Sequence, residues 1–488
     1  MTTATAAPIA EPRAKTVAPP RLARLDFLLF FLAAIFLFTA NLGGTTLASL
    51  DDGFYAEKGA EMDAHPGFTV TWMGRPAFQN PPGEIWILAA SMHAFGVNDA
   101  AARLPGALFT IGVLAGTALL GARLLSPLAG LGAAALLALS PVFLNNARRV
   151  MLEMPSLFWM VLAMVALVEW RRRPRTIILF APALAMALLT KSVLGFTPLA
   201  VALLAAALLP EWRGLLRDSR FWLAVALGLV FGASWWIDQS RTFSTAFLKL
   251  HFAEEIGKRS LASTSVVQRI FGYPRILLVE FEPVLLAALL GIAALWKSRA
   301  DAGARLLVVW ALVPVLVALA SAAQSSHYVF AIFPALALIG AAWLAARWPG
   351  AVRVAATRVV PALMIAGGVL LWVRPQLLTR DANRPFKDAA GVFAERVPPR
   401  VEVAFLGDDY WRFANPVMWY CGRELGTDAV TMEEAMLRAR ASGGLLLVQR
   451  SRLATLPAAI ASSPRILESK DAVVLDFGPG YLVGPSEP

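Results

Sequence analysis

Four ionisable side chains, Asp51, Asp52, Glu153 and Lys191, stand beside long apolar runs, and together they suggest acid–base chemistry next to an anion site. Asp51 and Asp52 directly follow the first apolar run. A carboxylate there can take a proton from an incoming nucleophile if it stays ionised and within hydrogen-bond reach; the same two residues would equally suit a solvated helix end. Glu153 follows Arg148 and Arg149 and opens another apolar run as Glu-Met-Pro-Ser-Leu-Phe. It is either an ion-pair partner of those arginines or half of an acidic site, because charges at membrane depth are costly unless paired or functional. Lys191 lies between two short apolar runs in Leu-Leu-Thr-Lys-Ser. An ammonium at that depth needs an anion, either a phosphate on a lipid carrier or a structural carboxylate such as Glu153.

Further donors fall on the same side: Arg75, Arg241, Lys249, His251, Lys258, Arg259 and Arg269. Arginine in particular pairs bidentately with phosphate, although a basic run in a loop is ordinarily solvated surface. His251 is the candidate metal ligand, but no second histidine follows at helical spacing, and a lone histidine more often serves as a plain hydrogen-bonding residue. No P-loop and no Gly-x-Gly-x-x-Gly turn is present, which argues against a nucleotide-dependent mechanism. One cysteine, Cys421, excludes an internal disulfide framework and a cysteine-rich metal site.

The elements that must position these residues are set by composition. Of 488 residues, 58% are hydrophobic and 16% charged, against about 45–50% and 25% in soluble chains. The chain reads as a polytopic α-helical membrane protein. Its net charge of +11 reflects the basic residues that gather in cytoplasmic loops and gives no reason to invoke nucleic acid. Runs of roughly 20 apolar residues place spans near Asp26–Thr46, Arg103–Leu124, Leu128–Asn146, Leu152–Trp170, Thr176–Thr190 and Val193–Leu209. More follow near Phe221–Ile237, Ile276–Trp296, Leu306–Ala322, Tyr328–Ala346 and Val354–Val373, about eleven in all by this length rule. With a cytoplasmic N-terminus, Arg171, Arg172, Arg173, Arg175, Arg213, Arg217 and Arg220 fall inside, as the positive-inside rule requires.

Three stretches then face the other side. The loop from Leu50 to Asn98 predicts two amphipathic helices, Phe54–Ala64 and Glu84–Phe95; the second stretch is Asp238–Arg275. After Arg374, helical runs (Phe386–Arg396, Met432–Arg440) alternate with strand-like ones (Val401–Leu406, Leu445–Gln449, Ala472–Phe477), predicting a small α/β domain. The expected organisation is a disordered cytoplasmic tail over residues 1–24, a membrane domain over 25–374 and an outer-face domain over 375–488.

An ordered set of motifs crosses this membrane region. It comprises Asp51-Asp52-Gly-Phe-Tyr-Ala-Glu-Lys-Gly-Ala-Glu-Met62, Gly74-Arg-Pro-Ala-Phe-Gln-Asn-Pro-Pro82, Ala101-Ala-Arg-Leu-Pro-Gly-Ala-Leu108, Arg149-Val-Met-Leu-Glu-Met-Pro155, Leu188-Leu-Thr-Lys-Ser-Val-Leu-Gly195 and His327-Tyr-Val-Phe-Ala-Ile-Phe-Pro334. In these the chain resembles the GT-C class of polyprenyl-phosphate-sugar-dependent membrane glycosyltransferases, and within it the protein mannosyltransferase-like enzymes and the aminoarabinose transferase of lipid A. The resemblance implies that Asp51 is the base for the acceptor, that Glu153 is a second acidic residue with Asp52 as a further candidate, and that Lys191 meets the donor phosphate. By the same resemblance Arg75, Arg259, Tyr55 and Tyr328 join the phosphate-binding set, and His251 with Arg259 marks a His/Arg-containing segment. Two departures are visible. Gln79-Asn80-Pro81-Pro82 stands where the aminoarabinose branch carries Glu-Lys-Pro-Pro, losing a carboxylate and a lysine, and Phe54 replaces a basic residue before Tyr55.

The expected activity is therefore an inverting glycosyl transfer from a polyprenyl-phosphate sugar to lipid A, another envelope glycan or protein. It would take place in the inner membrane with the site facing the periplasm. No nucleotide or redox cofactor is implied, and a divalent metal is left open. The alternative is a transporter or flippase of lipid-linked sugars. The absence of a visible internal repeat weighs against it, and so do acidic residues placed at helix ends instead of the midplane.

Overall fold

The structure, a computed structural model, describes residues 22–48, 50–257, 266–295, 302–320, 326–377, 381–398, 401–427 and 431–478. The first 21 residues of the expected tail, the basic residues Lys258 and Arg259, and the expected span ends Trp296 and Ala322 lie outside the described residues.

Helix α1 (Arg24–Thr39) starts where Asp26 accepts the Ala23 N–H at 2.7 Å, a carboxylate in the first turn where the helix dipole favours it. α2 (Asp51–Ala64) and α3 (Gly83–Phe95) follow, separated by a hairpin of β1 (Thr71–Trp72) and β2 (Arg75–Pro76). They pack on each other so closely that a Cβ at Gly59 would lie 2.9 Å from the Leu88 Cβ. α4 (Asp99–Leu124) is capped by Asn98, whose side chain accepts from Ala100 and Ala101 at 3.0 Å. α5 (Pro127–Leu139) is capped by Ser126 and carries proline in its first turn. α4 and α5 cross at two glycines: a Cβ at Gly121 would come within 2.3 Å of the Gly130 Cα. Such small-residue crossings let helix backbones approach in the absence of a hydrophobic drive.

α6 (Pro141–Ala147) bends 75° from α5 where Pro141 removes a backbone donor. α7 (Glu153–Trp170), α8 (Phe180–Lys191), α9 (Thr197–Leu208) and α10 (Ser219–Leu248) follow. Further helices at Val266–Glu280, Val284–Leu295, Ala302–Ala320, Phe333–Arg347 and Val360–Val373 complete the bundle. Its core is apolar and aromatic, with Phe30, Phe38, Phe143, Phe180, Trp310 and Phe333 fully enclosed.

Among the described residues seven helices are long and apolar enough to cross a membrane, or eight if the bent α5–α6 pair is one span; the chain is a multi-pass membrane protein. Against the roughly eleven runs expected by length, α1 has 16 residues, about 24 Å of rise against a core of about 30 Å. The stretch Pro174–Leu208, expected as two short spans, passes as one 35-residue candidate broken near Ser192. The described part of the run from Ile276 divides between the Val266–Glu280 and Val284–Leu295 helices.

The C-terminal part holds a four-stranded sheet, β3 (Ala404–Leu406), β4 (Leu445–Gln449), β5 (Arg465–Glu468) and β6 (Ala472–Asp476), in the order β3-β4-β6-β5. β3 and β4 are parallel and the other pairings antiparallel. Alternation sends Phe405, Leu445, Leu447 and Val474 to one face, against helices carrying Phe386, Phe393 and Phe413. Leu446, Val448, Val473 and Leu475 take the other, against Ala435 and Ala439.

Candidate active site

Two buried arginines first fix the chain leaving α1. Arg148 donates to the carbonyls of Leu37, Phe38, Ala40 and Asn41, and Arg103 to those of Leu42, Thr45 and Thr46 at 2.6–2.7 Å. The carbonyls at a helix C-terminus lack intrahelical partners and favour a cation. Arg148 is thus held structurally, and its basic character needs no substrate.

That chain enters α2 at the two aspartates, which differ sharply. Asp52 is 1% exposed and its Oδ1 accepts from Arg149 Nε at 2.9 Å. Burial pushes its carboxyl up from the ordinary range, against the pull of Arg149 and Arg103. Asp51 is exposed and makes no side-chain hydrogen bond among the described residues. Consecutive helical residues diverge by about 100°, so one carboxylate is committed to an ion pair and its neighbour is open.

Arg149 and Glu153 are four residues apart, within about 14 Å along the chain, so the Asp52 pair and the second acidic group share one region. Glu153 begins α7 and Lys191 ends α8, each at the terminus whose dipole suits its charge. Glu153 Oε1 accepts from Lys191 Nζ at 2.8 Å and lies 3.0 Å from His327 Nδ1; the lysine also reaches the His327 carbonyl at 3.4 Å. The other carboxylate oxygen, Oε2, is buried with no hydrogen-bond partner among the described residues. Glu153, Ser156, Lys191, His327 and Tyr328 line a cavity there. Of the two readings of Glu153, pairing with Arg148 and Arg149 is not what the structure shows: Arg148 is spent on α1, Arg149 on Asp52, and the partners are Lys191 and His327.

The remaining candidates disperse. Tyr328 lines the cavity. Tyr55 is half-buried on α2, its ring beside Phe54 and 5.9 Å from Lys58 Nζ. Arg75 is exposed on β2, where its charge acts on Tyr410 of the C-terminal part; no contact joins it to the Glu153 cluster among the described residues. Arg259 is outside the described residues.

His251 is 1% exposed with both ring nitrogens engaged. Nδ1 lies 2.7 Å from the Phe78 carbonyl, which can only accept, so Nδ1 carries the hydrogen. Nε2 accordingly accepts from Trp236 Nε1 at 3.1 Å and from the Ser192 hydroxyl at 3.2 Å. So placed, His251 ties the segment before Gln79 to the link after Lys191. Among the described residues no three His, Cys, Asp or Glu side chains cluster as a metal site would require; Glu153 and His327 make a pair.

Backbone strain flanks the same residues. Leu50, before Asp51, has φ 69°, and Ser192, after Lys191, has φ 49°, a region side chains avoid and functional sites often retain. Sequence reasoning missed His327 as a site residue, although it heads a quoted motif, and it missed Glu84. That residue is buried on α3, with burial pushing its carboxyl well above the ordinary range; an acidic residue at the start of an apolar helix was the available signal.

In sequence over residues 25–250, and in fold, the chain is similar to glycosyltransferases of the GT-C class. Residues 25–250 match the family model of dolichyl-phosphate-mannose-protein mannosyltransferase. The chain superposes on ArnT from Cupriavidus metallidurans bound to undecaprenyl phosphate with a TM-score of 0.73 and 18% identity, over 95% of this chain and all of that one. It also superposes on the Archaeoglobus fulgidus oligosaccharyltransferase in complex with Zn and sulfate, with a TM-score of 0.56 and 12% identity, over 87% of this chain and 68% of that one. An uncharacterized protein of Aquifex aeolicus (strain VF5) is 27% identical over 236 residues, which is 47% of each chain. The match thus spans about half the length of that curated relative.

Proposed function

We propose that this chain transfers a glycosyl group from a polyprenyl-phosphate-linked sugar to an envelope acceptor, lipid A or another glycan ahead of protein, on the outer face of the inner membrane. The observation that carries the reading is the buried Glu153–Lys191–His327 cluster with one carboxylate oxygen unpartnered among the described residues, near two aspartates of which, among those residues, only Asp52 is committed. A fold shared with an enzyme solved with undecaprenyl phosphate supports a polyprenyl-phosphate donor.

In this reading Asp51 takes the proton of the acceptor hydroxyl or phosphate as its oxygen attacks the anomeric carbon. The bond from that carbon to the phosphate oxygen breaks with inversion, and polyprenyl phosphate leaves with the electron pair. Because phosphate is a good leaving group, the chief needs are a base and positive charge at the departing anion. Lys191, with Tyr328 beside it in the cavity, supplies that charge; Glu153 and the His327 carbonyl hold the ammonium in place. Asp52 acts through Arg149 and not on substrate. Residues 25–374 form the catalytic membrane domain and 375–488 a periplasmic domain.

The test is mass spectrometry of envelope lipids and glycans from a deletion strain, together with release of polyprenyl phosphate by the purified chain. Loss of one glycosyl unit and stoichiometric release support the transferase. Unchanged donor in vitro, with a lipid-linked sugar accumulating on the inner leaflet in the deletion strain, would overturn it in favour of a flippase.

A further inference from the structure

We infer that Asn415, in the C-terminal domain, is a positioning residue for Asp51: it holds Leu50 in a conformation that leucine otherwise avoids, and so sets where the Asp51 carboxylate leaves the start of α2. The inference rests on the base role proposed above for Asp51.

Leu50 is the residue that starts α2, and its backbone is at φ 69°, ψ −119°. These are the angles of the first central residue of a type II′ turn, which glycine ordinarily fills because a Cβ crowds the backbone there. No side chain caps this helix start. The Leu50 carbonyl instead takes two donors: the Phe54 N–H at 3.0 Å, which opens the helix, and Asn415 Nδ2 at 2.7 Å, which comes from the Tyr410–Cys421 helix.

The contact is built for closeness. A Cβ at Gly53 would meet the Asn415 Cβ at 2.7 Å, so only glycine lets α2 approach that helix this far. Asn415 is 2% exposed, and its Oδ1 has no partner among the described residues. Burying an amide with an unfilled acceptor is costly, and what the amide does there is hold Leu50. Two neighbouring bonds anchor the same strand of chain. Tyr420 Oη accepts the Leu47 N–H at 2.6 Å and donates to Asp99 at 3.0 Å, while Asn383 Nδ2 donates to the Leu47 carbonyl at 2.8 Å. Of these grips, Asn415 is the one adjacent to Asp51.

The experiment uses the full chain in detergent with Asn415→Ala, Leu50→Gly and the double variant, reading hydrogen–deuterium exchange and steady-state transfer from a polyprenyl-phosphate sugar. In Asn415→Ala the amides of residues 51–54 should exchange about tenfold faster while β4 is unchanged. The donor KM should hold and kcat should fall about 10²-fold, as misplacement of a catalytic group by about 1 Å produces. Leu50→Gly should restore at least tenfold of that kcat in the double variant, because glycine takes the same φ without being held; an Asn415 that only stabilised the domain would not respond to a change at Leu50. Unchanged exchange at 51–54, or no recovery in the double variant, overturns the inference. If Asn415→Ala fails to fold, Gly53→Ala gives the same test by pushing the amide off the Leu50 carbonyl. If the unmodified chain transfers no sugar, the proposed function falls; exchange still decides the hold on Leu50, faster supporting it and unchanged overturning it.

Discussion

Lys191 and Glu153, 38 residues apart in the chain, meet at 2.8 Å with the end of α8 against the beginning of α7. Of the two anions considered for this lysine, the structural carboxylate is in contact, and a cavity lies beside the pair. The other carboxylate oxygen has no hydrogen-bond partner among the described residues, so the pair does not saturate Glu153 there.

This makes Lys191→Ala informative. We expect a folded variant whose affinity for polyprenyl phosphate drops about 10–100-fold, the worth of one hydrogen bond to a charged group, with Lys191→Arg retaining part of it. Binding of polyprenyl phosphate and folding yield would be measured on Lys191→Ala and on the double variant with Glu153→Gln. If the lysine serves only to neutralise Glu153, the single variant misfolds and the double variant folds. Normal affinity in a well-folded Lys191→Ala would sink the phosphate role.

The two aspartates should separate cleanly. Asp51→Asn, at an exposed position with no side-chain hydrogen bond among the described residues, should leave the melting temperature unchanged and cut transfer about 10²–10⁴-fold, as loss of a general base does. Asp52→Asn breaks the Arg149 pair and should instead lower stability by roughly 1–3 kcal/mol. Near-normal turnover of Asp51→Asn in liposomes would remove it as the base.

Stability should fall as pH rises through a window set by Glu57 on α2. Burial, with the neighbouring Glu61 charge, pushes its carboxyl from 4.5 up to about 7. Between those values the native state keeps a proton that the unfolded chain has lost, so stability declines from pH 4.5 to about 7 and then levels off. Glu57→Gln should flatten that decline and raise the melting midpoint at pH 8 relative to the unmodified chain. Superimposable melting profiles from pH 4 to 8 would show that Glu57 does not titrate in this way.

The proposed outward placement of the C-terminal domain has a direct test. A reporter fused after Pro488 should behave as periplasmic if, as the sequence reading has it, the N-terminus is inside and the number of spans is odd. Cytoplasmic behaviour would reverse the assignment of faces and move Asp51 away from periplasmic acceptors.

Much of the architecture was legible because its signals are local. The turn-rich stretch around Pro66 and Pro81 divides Phe54–Ala64 from Glu84–Phe95, and the structure starts those helices at Asp51 and Gly83. Short strand-like apolar runs likewise mark β3, β4 and β6. β5 was missed because Arg465–Glu468 is a short edge strand with charged ends, and the Tyr410–Cys421 helix because Pro416 sits inside it.

At the site, sequence alone determined which residue types stand at the ends of apolar runs; that Asp51, Glu153 and Lys191 are costly to place there follows from charge and hydropathy. Tertiary structure decided who meets whom. Arg148 answers backbone carbonyls at the end of α1, acceptors that no residue type announces. Arg149 goes to Asp52, 97 residues away, and Glu153 takes Lys191 and His327. The carbonyl of Leu50, a residue at positive φ, accepts from an asparagine 365 residues later. Such pairings arise from where helices cross and how closely glycines let them approach, and a one-dimensional pattern of polarity does not encode those distances.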